Sequence, residues 1–156
     1  QGVRIDRKTS ASLRVLSAKP SRAEGLFRTK VQLAGTTNGR DVMHAGGVVV
    51  LSSGLPSAPV ASLQVTPRGY SLDMATSYAK RLFHGPQLFG IAAVEACSAD
   101  GIVVDSRTSP APWAWMTEPL RSTWLADPLA LDSALQAVIL WSQEMRGEPC
   151  LPCAIA

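Results

Sequence analysis

Asp127-Pro128-Leu129-Ala130-Leu131-Asp132-Ser133-Ala134-Leu135-Gln136 opens the most informative segment of this chain. Pro128 suits a first helical turn, where its missing N–H goes unused, and Asp127 just before it suits an N-cap. From Leu129 to Met145 neither Gly nor Pro intervenes, and Gly147 and Pro149 then end the run as a helix terminus should. Leu131, Leu135, Val138, Trp141 and Met145 recur at helical spacing and predict a wide apolar face. Apart from Asp132, the first charge inside the run is Glu144. So little charge predicts a covered helix, wrapped by a sheet.

Upstream, alternating or apolar runs predict strands at 11–18, 25–34 and 42–51. Thr36-Thr37-Asn38-Gly39-Arg40 reads as the turn between the last two, and Gly46-Gly47 suggests a bulge or a close backbone approach. Residues 52–68, rich in Ser and Gly and interrupted by Pro56, Pro59 and Pro67, read as a connection between units. Residues 71–81 predict a short helix capped by Ser71, with Met74, Tyr78 and Leu82 on one face. Strands at 87–98 and 100–106 follow, then an irregular loop at 107–127 that carries Trp113, Trp115 and Trp124. The class is α+β, divided into residues 1–52, a linker at 53–69 and residues 70–156.

Only 17% of the 156 residues are charged while 46% are hydrophobic, which predicts an extensive contact surface. Arg7, Lys8, Arg14, Lys19, Arg22, Arg28 and Lys30 make the first quarter basic. That pattern reads as an exposed strand face, or as a surface that steers an acidic carrier protein. It lacks the aromatic interleaving of a nucleic-acid reader. No apolar stretch approaches the roughly 20 residues of a membrane span, and no secretory signal is visible. Cys97, Cys150 and Cys153 read as thiols of a reducing cytoplasm. Cys150 and Cys153 have the spacing of half a zinc site or a redox pair, but no second such pair occurs. Neither a metal nor a cofactor is expected, and no nucleotide-binding or zinc-hydrolase motif is present.

Asp132 and Gln136 are four apart and share a helical face with Ile139 and Leu140. A carboxylate on an apolar face is costly unless it is hydrogen-bonded or functional. Two readings stay open on this pattern alone. Asp132 is either an acid that complements the helix dipole, or a general acid in an apolar cleft, oriented by Gln136.

The segment from Asp127 to Gln136 resembles the helix-opening motif of polyketide synthase dehydratase domains. Those domains read His-Pro-Ala-Leu-Leu-Asp, then two small residues, Leu, and Gln or His. Leu82-Phe83-His84-Gly85-Pro86-Gln87-Leu88-Phe89-Gly90 is similar to their Tyr-Gly-Pro-Ala-Phe-Gln-Gly segment. Leu151-Pro152 followed by Ile155 is similar to the Leu-Pro-x-x-Ile stretch after the helix, and His44-Ala45-Gly46-Gly47 to a stretch of the first unit. The resemblance implies part of a double hot-dog fold, in which an antiparallel sheet wraps each long helix. Residues 1–52 would supply late strands of the first unit, and residues 70–156 a C-terminally incomplete second unit.

The activity it implies is loss of water from a β-hydroxyacyl chain on an acyl carrier protein, as one segment of a larger cytoplasmic synthase. Asp132 would protonate the leaving hydroxyl, Gln136 would support it, and His84, Gly85 and Pro86 would line the substrate cleft. The family's base lies in a His-x-x-x-Gly-x-x-x-x-Pro motif, which neither His44 nor His84 matches. The base would come from outside this chain. Asp127 stands where the family has His, and His84 where it has Tyr. The implied partners are the carrier with its phosphopantetheine-tethered substrate, the remaining synthase segments with the other half of the dehydratase, and a second copy. A non-catalytic structural or carrier-docking module, and an isomerase or cyclase on carrier-bound chains, are the competing functions.

Overall fold

The computed structural model describes residues 11–37, 39–54, 57 and 64–152. Arg7, Lys8, Asn38, Pro56, Pro59, Cys153 and Ile155, which figure in the sequence reading, lie outside them. The elements in chain order are β1 (Leu13–Ser17), β2 (Ser21–Ala23), β3 (Leu26–Thr37), β4 (Arg40–Leu51), α1 (Met74–Lys80), β5 (Ile91–Ser98), β6 (Gly101–Ser106) and α2 (Pro128–Arg146). They fall into two units, Gln1–Val60 and Ala61–Ala156.

In the first unit β3 is the central strand. β1 and β2 pair antiparallel with successive parts of one edge, and β4 runs antiparallel along the other. The tight return from β2 to β3 places Glu24 at φ 53° and Gly25 at φ 76°, the left-handed region that glycine adopts without a Cβ clash. The register steps from Leu33 opposite Ala45 to Ala34 opposite Met43. His44 is therefore the extra residue, and the bulge falls there rather than at Gly46-Gly47. Val15, Phe27 and the run Val48 to Leu51 keep their side chains exposed.

The second unit packs α1 and α2 against the antiparallel pair β5–β6. Its core is Tyr78, Leu82, Ile91, Ala137, Ile139 and Leu140, with Phe89, Val94, Ile102 and Val104 packed on it. The α1 cap is Asp73, which accepts from Thr76 N at 2.7 Å, not Ser71. Ser71 instead donates to Glu144, which also pairs with Arg81 at 2.6 Å and so ties α1 to α2.

The ends of α2 match the sequence reading. The Asp127 carboxylate accepts from Leu129 N and Ala130 N, and Gly147 closes the helix at φ 72°. Its covered face does not match. The buried residues are Leu129, Ser133, Gln136, Ala137, Ile139, Leu140 and Ser142, while Leu131 is 60% and Val138 45% exposed.

The expected hot-dog fold is not found. A hot dog needs a broad sheet curled around its helix, and among the described residues of its own unit α2 packs on two strands, β5 and β6. At roughly 4.8 Å between strands, a pair is too narrow to enclose a 19-residue helix, and the exposure of Leu131 and Val138 is the direct result. The four-stranded sheet belongs to the other unit. The architecture is α+β, with one long helix and antiparallel sheets that do not close around it.

Candidate active site

Gln136 is fully buried, so each of its polar atoms needs a partner, and each has one. Its Nε2 donates to Leu88 O at 2.8 Å and to Asp132 Oδ2 at 2.6 Å. Its Oε1 accepts from the Tyr78 hydroxyl at 2.9 Å, which in turn accepts from Ile91 N at 2.8 Å. Helical spacing brings Asp132 and Gln136 together on one face. The turn before β5 then brings Leu88 and Ile91 to them.

His84 follows α1, and its Nε2 lies 3.7 Å from Asp132 Oδ2. The His84 side chain is 8% exposed and that of Asp132 29% exposed, so the pair sits at the margin of the core. The imidazole stacks on Phe83 at 4.4 Å, and its Nδ1 is buried without a hydrogen-bond partner among the described residues. Gly85 caps the 3-10 turn Pro86–Leu88, and both Gly85 and Pro86 are exposed. The structure thus brings Asp132, Gln136 and His84 together, and Gly85-Pro86 sets where the chain turns beside them. His44 lies in the other unit and is not part of this cluster.

The Asp132 carboxylate is engaged at Oδ2 by Gln136, with His84 near the same oxygen. Among the described residues Oδ1 has no hydrogen bond. A cleft of about 410 Å³ lies between α1 and β5, with Met74, Tyr78, Phe89, Ile91 and Arg107 among its walls. Asp132 and His84 do not line it, and Tyr78 is the link between the cleft and the Gln136 network. Tyr78 also stacks on Phe89 at 4.0 Å, and burial pushes its hydroxyl pKa up. Periodicity puts Tyr78 on an apolar helix face and carries no sign of this bond, whose partner is 58 positions away.

The loop tryptophans take no part. Trp124 donates to Pro110 O at 2.7 Å and lies 5.9 Å from Trp115, beside a separate cavity of about 340 Å³. Trp141 on α2 donates to Ser98 O at 2.7 Å. Among the described residues no group of three or more His, Cys, Asp or Glu is placed to hold a metal ion. No helix there is long and apolar enough to cross a membrane.

Compared with known proteins, the chain is similar to a polyunsaturated fatty acid synthase subunit of Thraustochytrium sp. (strain ATCC 26185 / S-3). The two are 32% identical over 160 residues, which cover 99% of this chain and 6% of that protein. No family model and no solved structure matches. Nearly the whole length of the chain is related to this fatty-acid synthase protein, of which it spans a small part.

Proposed function

We propose that the chain is part of a synthase dehydratase that removes water from a β-hydroxyacyl thioester on an acyl carrier protein. The observation that carries this reading is the Asp132 carboxyl, held at 2.6 Å by a fully buried Gln136. The similarity to a fatty-acid synthase protein supports the substrate class.

In the reaction a base removes a proton from Cα, next to the thioester. The C–H electron pair becomes the Cα=Cβ double bond, and the Cβ–O bond breaks. Hydroxide leaves poorly, so Asp132 donates its proton to the departing oxygen and water is released. The carboxylate that remains keeps the Gln136 N–H bond, which is stronger to a charged acceptor than to a neutral one. His84, Gly85 and Pro86 line the approach to Asp132, and the base is a histidine from outside this chain.

The test is to load a β-hydroxyacyl chain on its carrier protein, add the full-length polypeptide carrying these residues, and follow the acyl mass. A product lighter by one water is expected. A product of unchanged mass makes the protein an isomerase, and binding of the carrier without turnover makes it a docking module.

A further inference from the structure

We infer that Tyr78 is a positioning residue for Asp132, acting through Gln136. The inference rests on the dehydratase reading and adds to it a residue from a different element, α1. The geometry leaves the Tyr78 hydroxyl one role. It accepts from Ile91 N at 2.8 Å, so its single proton goes to Gln136 Oε1 at 2.9 Å. Gln136 therefore meets a donor on one side and two acceptors, Leu88 O and Asp132 Oδ2, on the other.

Turning the amide over would set its oxygen against both acceptors. Leu88 fixes the sense of the amide, and Tyr78 anchors its far end. Together they hold Nε2 on Asp132 at 2.6 Å. The ring of Tyr78 is fixed in turn, being 8% exposed and stacked on Phe89 at 4.0 Å. A bonded chain also polarises each member, so the Tyr78 bond strengthens the N–H that faces Asp132. The same tyrosine walls the apolar cleft, so an acyl chain seated there would touch the residue that sets the acid.

The experiment compares Tyr78→Phe, Gln136→Met and their double variant with Asp132→Asn, all in the full-length polypeptide on a β-hydroxyacyl-carrier substrate. Tyr78→Phe keeps the ring and its stacking and removes only the hydroxyl. The expected result is a kcat about tenfold lower with KM unchanged, since small misplacement of a catalytic group costs rate rather than binding. In the Gln136→Met background, Tyr78→Phe is expected to lower kcat no further. A purely structural tyrosine would lower the unfolding temperature and leave the kcat of the folded enzyme intact, which overturns the inference. Equal, additive losses in the two backgrounds overturn it as well, because Tyr78 would then act without Gln136. If Asp132→Asn keeps the full rate, the dehydratase reading itself fails. If Asp132→Asn is inactive while Tyr78→Phe is unchanged, only the role of Tyr78 fails.

Discussion

Gly90 has no side chain where the chain enters β5 beside α2. A Cβ there would press into the Ser133 hydroxyl and the Leu129 side chain. Gly90→Ala is therefore expected to cost about 1–3 kcal/mol of stability, measured by urea unfolding. A loss below about 0.5 kcal/mol, the range of an uninvolved surface change, would mean the helix shifts freely. Ser133 Oγ is itself buried without a partner among the described residues. Ser133→Ala removes that hydroxyl at nearly constant shape, so it should be neutral or stabilising by up to about 1 kcal/mol in the same assay. At this scale the pairing of Asp132 with Gln136 was legible, because four residues on a helix is a local relation. The roles of Tyr78, Leu88 and Gly90 were not, because each depends on a partner far along the chain.

Among the elements, α2 depends on a cap that also holds a loop. Asp127 accepts from Leu129 N and Ala130 N, and from both the backbone N and the hydroxyl of Ser109. The Ser109 hydroxyl, then the Ala130 amide, hold its carboxyl below the usual range against the opposing effect of desolvation. A depressed folded value means the carboxylate stabilises the fold at neutral pH, and that this is lost as pH falls through the folded value. Asp127→Ala should thus lower the melting temperature near neutral pH, and the gap from wild type should close in acid below the ordinary carboxylate range. A gap independent of pH would contradict the cap.

The link from α1 to α2 is of another kind. Burial would push the Glu144 carboxyl up, but bonds from Ser71 and Arg81 outweigh it and hold it below its ordinary value. Glu144→Gln leaves Arg81 without its counter-charge and should cost about 1–2 kcal/mol in urea unfolding, between the exposed and buried limits. The ends of α2 were legible from Asp127, Pro128 and Gly147, which act on their nearest neighbours. The α1 cap was misplaced by two residues, since Ser71 and Asp73 are both good caps and only packing against Glu144 separates them.

For the whole molecule, periodicity indicates the long helix and the longer strands, but not β2, the 3-10 turn Pro86–Leu88 within the expected strand 87–98, or how many strands pack on α2. That number depends on pairings between distant segments, which an apolar pattern does not encode. The same pattern left Leu131 and Val138 looking like core when they face outward. The contacts among Asp132, Gln136 and His84 need no sheet around α2, since all three residues belong to the second unit. The most direct test is the rate of water loss from a β-hydroxyacyl-carrier substrate by the full-length polypeptide with Asp132→Asn. Removal of the proton donor should lower kcat by about a hundredfold or more, with the fold intact by circular dichroism. A variant that dehydrates at the wild-type rate would contradict the assignment of Asp132 as the acid.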